Sequence, residues 1–288
     1  MKLVTDFTEY QILDLNNGKK LESWNGIVLS RPDPQVIWKK EENALWESAD
    51  AIYDRSNTGG GKWKIKKNIP SSWIISYHDL KFNLKLMGFK HTGLFPEQAY
   101  NWNLIREKIR NANREIKVLN LFAYTGAATI AALSAGASVV HVDSSRGMID
   151  WAKENVKLNH LEDASVRFLV DDVRKFVKRE IRRGNKYDII IMDPPSFGRG
   201  SKSEVWNIET DLDDLLKDTA ELLSDDPLLF LINSYTTGLS KTVLEDLLYL
   251  RINSKWKGFV SSDELGLPVN NSKLILPCGI YARWESLK

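Results

Sequence analysis

Residues 117–126 read Lys-Val-Leu-Asn-Leu-Phe-Ala-Tyr-Thr-Gly, an apolar run that stops at a glycine. The small-residue stretch 127–135 follows directly. A buried strand running through a glycine-containing turn into a helix is the opening unit of a parallel α/β sheet, and such sheets bind ligands at the carboxyl ends of their strands. The later elements are counted from this one. The pattern predicts strands at 116–122, 138–142, 166–170, 187–192 and 228–233. Helices are predicted at 127–135, 145–158, 173–183, 211–223 and 241–250. Gly136 and Gly184 supply stops, and Ser145 is a candidate cap. Two extended pieces, 257–261 and 275–284, close the chain around a loop with Pro268, Asn270 and Asn271. Alternating α/β units that finish in a hairpin-like pair imply a mostly parallel sheet with one antiparallel strand.

The residues at the predicted strand ends are small or acidic. Ala123-Tyr124-Thr125-Gly126 follows the first strand, Asp143 the second, Asp171-Asp172 the third and Asp193-Pro194-Pro195-Ser196-Phe197 the fourth. Buried carboxylates need donors, and a ligand with hydroxyls and amines supplies them. Asp143 stands where a carboxylate accepts hydrogen bonds from ribose hydroxyls. Its other use is to cap the next helix, a role Ser144 or Ser145 can also fill. The Ala123–Gly126 turn has one glycine of the Gly-x-Gly-x-x-Gly set, so a ligand without a pyrophosphate fits better than a dinucleotide. This favours S-adenosylmethionine over NAD. Thr125 is a candidate cap for the following helix. Asp172 or Asp171 can accept from an adenine amine, Asp172 being the first choice, or either can cap a helix. Asp193 and the two prolines form a rigid loop whose carbonyls and carboxylate face an amine, and Phe197 can stack on a flat substrate.

Residues 1–90 have another texture. Five of the ten tryptophans lie there: Trp24, Trp38, Trp46, Trp63 and Trp73. Short apolar runs (26–29, 36–38, 73–77) alternate with turn signals (Asn16-Asn17-Gly18, Pro32-Asp33-Pro34, Asn57-Thr58-Gly59-Gly60-Gly61), which suggests a small β-rich domain. Lys62, Lys64, Lys66 and Lys67 around Trp63 form either a phosphate-contacting hairpin with a stacking ring or a solvated, charge-protected edge strand. Phe82, Leu84, Leu86 and Phe89 suggest a further strand, and Trp102, Ile105 and Ile109 share one face of a helix over 101–113.

Composition sets bounds. One cysteine, Cys278, allows no intrachain disulfide and no cysteine-rich metal site, and the four histidines lack metal-binding spacing. A net charge of +2 makes no case for nucleic acid by itself. With no apolar run long enough to span a bilayer and no secretory leader, the expected compartment is the cytoplasm.

The series Asn-Leu-Phe-Ala-Tyr-Thr-Gly, Val-Asp-Ser-Ser, Asp-Asp-Val and Asp-Pro-Pro-Ser-Phe resembles class I S-adenosylmethionine-dependent methyltransferases. In detail it is similar to the bacterial group that contains large-subunit ribosomal RNA methyltransferases. The resemblance covers residues 90–288. It implies a Rossmann-like, seven-stranded, mostly parallel α/β sheet (91–288) behind a small β-rich N-terminal domain (1–90), with 91–115 as a cofactor-covering segment. It implies cofactor contacts at Asn120, Phe122, Ala123, Tyr124, Thr125, Gly126, Asp143, Ser144, Asp171, Asp172 and Asp193, and in the covering segment at Phe95 and Gln98. Where the family often has arginine after that glutamine, this chain has Ala99. The implied substrate is RNA, gripped by Lys62, Lys64, Lys66 and Lys67. Members that make 5-methylcytosine carry a cysteine after the fifth strand; here that stretch is Leu231-Ile232-Asn233-Ser234-Tyr235-Thr236. Methylation of a nitrogen or oxygen is therefore expected. A protein amide or a small molecule is the alternative acceptor, and a non-catalytic RNA-binding module the alternative class.

Overall fold

The computed structural model describes residues 1–41, 43–56, 60–199 and 205–287. The turn signal Asn57-Thr58-Gly59 lies outside them. The chain divides into two units, Met1–Tyr100 with Leu265–Cys278, and Asn101–Glu264 with Gly279–Lys288.

The second unit is built on strands β1 (Lys117–Leu121), β2 (Ser138–Asp143), β3 (Val166–Val170), β4 (Ile189–Met192), β5 (Leu229–Ser234), β6 (Gly258–Pro268) and β7 (Ile275–Ser286). Their order is β6-β7-β5-β4-β1-β2-β3, and Lys2–Leu3 pairs parallel with Leu265–Gly266 of β6 at that edge, an eighth strand beyond the seven expected. The pairs from β5 through β4, β1 and β2 to β3 are all parallel, and β7 runs antiparallel to β5. This is the mostly parallel sheet the sequence implies. Its order reverses between β1 and β4, the point where such a sheet opens a crevice for ligands. Residues 265–268 of β6 and 275–278 of β7 group with the first unit.

Among the described residues six α-helices accompany the sheet: α1 (Ala99–Asn111), α2 (Ala127–Ser134), α3 (Arg146–Leu158), α4 (Val173–Arg183), α5 (Ile208–Ala220) and α6 (Lys241–Leu248). Their ends follow from local chemistry. Ser145 Oγ accepts from Met148 N–H to start α3, and Asp172 accepts from Lys175 N–H to start α4. Gly184 ends α4 at φ 69°. Trp102, Ile105 and Ile109 on α1 are all buried. Leu119, Leu121, Ile190, Phe230 and Ile232 meet Phe176, Leu212 and Leu216 in the core. Each such side chain contributes about 1.5–3 kcal/mol by leaving water.

Two charged groups clamp the far end of the sheet. Asp188 on the approach to β4 accepts from Lys117 N–H (2.9 Å) and Ser224 Oγ (2.8 Å), and pairs with Arg114 (3.0 Å). Glu180 on α4 is 1% exposed and accepts from the Tyr187 hydroxyl (2.6 Å), Asn185 (2.8 Å) and Arg183 (2.9 Å). Burial alone would raise its pKa, but these donors more than offset that and hold it below the usual value.

Some elements differ from expectation. α5 starts at Ile208 rather than 211, because Asn207 caps it by accepting from Glu209 N–H. Before it, Phe197–Arg199 and Val205–Asn207 pair antiparallel as a short hairpin that the sequence pattern does not announce. α6 stops at Leu248 and passes into a wide π turn, Tyr249–Asn253. β6 runs on to Pro268, because neighbouring strands supply the ladder that Ser-Ser-Asp-Glu would not predict.

In the first unit, five strands lie in sequence order: Tyr10–Asn16, Lys19–Trp24, Ile27–Pro32, Ala51–Arg55 and Gly61–Ile65. A separate hairpin pairs Trp73–Tyr77 with Leu80–Leu84. The connections Asn17-Gly18 and Asn25-Gly26 have positive φ throughout, the geometry of tight hairpin turns. Val36–Trp38, expected as a strand, is coil; its carbonyls instead accept from Gly18 and Asn17 N–H. Trp24, Leu15, Leu21 and Leu29 form the buried centre, with the wholly buried Glu22 held by both Arg31 and Tyr10.

Candidate cofactor and acceptor site

Register brings the strand tips together. Leu121 pairs with both Val142 and Met192, so the next residues, Phe122, Asp143 and Asp193, leave three adjacent strands side by side. Asp143 pairs in turn with Val170, which puts Asp171 and Asp172 just beyond it. Met192 pairs with Ile232, setting Asn233 beside Asp193.

The turn after β1 is held in an uncommon shape. Phe122 and Tyr124 have φ of 56° and 51°, and Gly126 has 88°. Non-glycine residues in this region cost about 1–3 kcal/mol each and persist where surroundings fix them. Here Ala123 N–H donates to the Val142 carbonyl (3.1 Å), and Asn155 of α3 donates to the Thr125 carbonyl (3.0 Å). A Cβ on Gly126 would sit 3.0 Å from the Ala152 Cβ, so only glycine keeps the helix this close. Thr125 does not cap α2. Gly126 takes the cap position without a side-chain bond, and Thr125 is buried behind the turn.

Asp143 is the electrostatic centre of this rim. Its Oδ2 accepts from Tyr124 N–H (2.9 Å) and its Oδ1 from Ser145 N–H (2.8 Å). Burial raises its pKa, backbone donors at Ser145, Tyr124 and Ser144 pull it down, and the net shift is upward. Each carboxylate oxygen has two acceptor positions, so capacity remains for a ligand's hydroxyls. Capping of α3 falls to Ser145; Ser144 is exposed beside it.

Beneath the turn runs a buried polar chain. Asn120 Nδ2 donates to Thr129 Oγ1 (3.0 Å), which bonds His141 Nδ1 (2.9 Å). Burial lowers the His141 pKa to about 3, only partly offset by the Tyr124 backbone, so this histidine stays neutral. Asn120 thus has its amide committed to α2.

The two remaining acidic candidates have distinct partners. Asp171 pairs with Arg179, and its N–H donates to the Asp143 carbonyl (3.0 Å). Asp172 caps α4 through Oδ1.

The loop after β4 is pinned from outside the motif. Pro194 is buried, and the Pro195 carbonyl accepts from Trp206 Nε1 at 2.5 Å. The Trp206 ring packs 5.6 Å from that of Phe122, so it ties the acceptor loop to the β1 turn. Ser196 Oγ bonds Thr236 Oγ1 (2.7 Å), beyond β5. Phe197 is 56% exposed, its ring presented to solvent. Asn233 accepts from Asn101 Nδ2 (2.9 Å), both buried. Trp206, Asn155 and Asn233 escape sequence reading because nothing local marks them; their roles exist only once distant segments meet.

The other candidates lie in the first unit. Phe95 is half-buried, 5.3 Å from the His91 ring, and Gln98 is buried with its N–H on the Phe95 carbonyl. Lys62 and Lys64 project from an edge strand and are exposed. The amines of Lys66 and Lys67 reach the Glu47 and Ser48 carbonyls, and Lys67 also pairs with Asp50 (2.8 Å). Trp63 is not an open stacking platform: its Nε1 donates to the Phe89 carbonyl and its ring meets Tyr53 edge-on. Cys278 is half-buried, and burial pushes its thiol well above the ordinary value.

The rim suits a nucleoside without phosphates. Asp143 offers charged acceptors, Gly126 permits close approach, and the turn lacks the glycines of a pyrophosphate cradle. Among the described residues no cluster of three or more His, Cys, Asp or Glu side chains could hold a metal ion. No described helix is long and apolar enough to cross a membrane.

Known proteins match this picture. A family model for S-adenosylmethionine-dependent methyltransferases matches residues 56–247. The crystal structure of a SAM-dependent methyltransferase from Agrobacterium tumefaciens aligns over 98% of this chain and 92% of its own, at 36% identity and a TM-score of 0.93. The ribosomal RNA large subunit methyltransferase K/L of Shewanella frigidimarina is 37% identical over 52% of this chain and 21% of its own length. The ribosomal RNA large subunit methyltransferase K of Neisseria meningitidis is 33% identical over 61% of this chain and 48% of its own. The chain thus spans about half or less of these two curated relatives. With the family model covering most of the chain and the fold and rim in agreement, the chain belongs to the S-adenosylmethionine-dependent methyltransferase family.

Proposed function

We propose that this protein transfers a methyl group from S-adenosylmethionine to a nitrogen or oxygen of a base in ribosomal RNA. The observation that carries the reading is the shared rung: Phe122, Asp143 and Asp193 leave neighbouring strands together, so a nucleoside-binding rim and an acceptor loop occupy one end of one sheet. The names of the matching large-subunit ribosomal RNA methyltransferases support RNA as the substrate.

When bound, the cofactor supplies an electrophilic methyl group. The chain's own residues hold and align the partners. Asp143 accepts from the ribose hydroxyls. Asp172, with Asp171 as the competing choice, accepts from the adenine amine, and the Ala123–Gly126 turn receives the methionine part. Trp206 holds the Pro195 carbonyl, and Asp193 with the Pro194 carbonyl faces the acceptor and sets its lone pair in line. Phe197 stacks on the base. Alignment of two bound groups is the main contribution to rate here.

Carbon-5 of a pyrimidine needs a thiolate to activate it. The segment after β5 has no cysteine, and the Cys278 thiol is held protonated by burial. We assign residues 1–90 to substrate binding, through Lys62 and Lys64 in particular. Modified nucleosides in ribosomal RNA from cells with and without the gene test the reading. One N- or O-methylated nucleoside should disappear with the gene; loss of a 5-methylpyrimidine, or no change, would refute it.

A further inference from the structure

Helix α4 carries the most uneven charge among the described helices. Its eleven residues, Val173–Arg183, include Arg174, Lys175, Lys178, Arg179, Arg182 and Arg183. Its one acid, Glu180, is buried. Over the whole chain the signs nearly balance, with 40 basic and 38 acidic residues.

The helix sorts these charges by direction. Val173, Phe176, Val177 and Glu180 face the core. On the flanks, Arg174, Arg179 and Arg183 are tied to Asp211, Asp171 and Glu180. Lys175, Lys178 and Arg182 stand at i, i+3 and i+7, a spacing that places them on one face, and all three are exposed. The row is about 10 Å long at the rise of an α-helix. Arg167 of edge strand β3 is exposed too.

Position gives the row a direction. α4 begins at Asp172, on the rim beside Asp143, and runs away from it. Arg174, Arg179 and Arg183 have acids within the chain, and an exposed basic row of this kind is complementary to a polyanion. We infer that the Lys175–Lys178–Arg182 face of α4 is a docking surface for the RNA phosphate backbone, leading the strand to the rim. This inference rests on RNA being the substrate.

The test is the salt dependence of binding to fluorescein-labelled single-stranded oligo(U) and to purified ribosomal RNA. It compares the wild-type chain with the triple variants Lys175→Glu/Lys178→Glu/Arg182→Glu and Lys175→Gln/Lys178→Gln/Arg182→Gln. Single strands give a slope of about 0.7 in log K against log salt per phosphate contacted, so both variants should lose about 2 from the wild-type slope. S-adenosylmethionine affinity, measured on the same samples, should not change. Wild-type binding with unaltered slopes in both variants would overturn the inference alone. Unaltered RNA slopes with lost binding to phosphatidylserine vesicles would give the face to a membrane surface instead. If the wild-type chain binds neither RNA, the substrate reading falls and this inference with it.

Discussion

At the scale of single residues, Asp143 carries the most weight. Backbone N–H groups, Tyr124 and Ser145 among them, hold it, yet burial leaves its pKa raised. Asp143→Ala should weaken S-adenosylmethionine binding by about 1–3 kcal/mol, the scale of hydrogen bonds to a charged acceptor. Calorimetric titration measures it, and unchanged affinity would remove Asp143 from the ribose. Since the carboxylate form is the acceptor, affinity should also fall as pH drops through a value above the 3.8 of a free aspartate. Cys278→Ser should leave turnover largely intact under initial-rate assay, because a thiol kept protonated is no nucleophile. The acidic candidates were legible one by one, since each ends a strand that periodicity defines. Capping of a helix by Asp172 was among the readings; the pairing of Asp171 and Lys67 was not, because Arg179 and Asp50 become partners only in the folded chain.

At the scale of elements, alternation from β1 to β5 could be read because buried strands and amphipathic helices have distinct periods. The pairing of Phe197–Arg199 with Val205–Asn207 could not, since its anchors are tertiary: the Trp206 bond to a carbonyl eleven residues earlier and Arg174 on the Val205 carbonyl. Trp206→Phe keeps the packing and removes that bond. It should cost about 1 kcal/mol in unfolding free energy and lower kcat while cofactor affinity holds. α4 supplies a second prediction. Donors from Tyr187, Asn185 and Arg183 depress the Glu180 pKa, so its charge stabilises the fold above pH 4.5 and that contribution is lost as pH falls through the depressed value. Glu180→Gln should therefore be less stable than wild type at neutral pH by about 1–3 kcal/mol, with the gap closing in acid. Denaturant melts across that range decide it; a gap that widened in acid would reverse the assignment.

At the scale of the whole molecule, the parallel sheet and the β-rich N-terminal part follow from texture along the chain. The grouping of residues 265–278 with the N-terminal unit does not, because only tertiary contact defines it. The fold and the family are established. The chemistry proposed on them is methyl transfer to a base heteroatom without a thiol. Incubating the purified chain with ribosomal RNA and methyl-labelled S-adenosylmethionine, then digesting the RNA for mass spectrometry of its nucleosides, tests this most directly. The label should appear in one nucleoside methylated on nitrogen or oxygen, and should vanish with Asp193→Ala. Label on carbon-5 of a pyrimidine, or RNA that stays unlabelled, would contradict it.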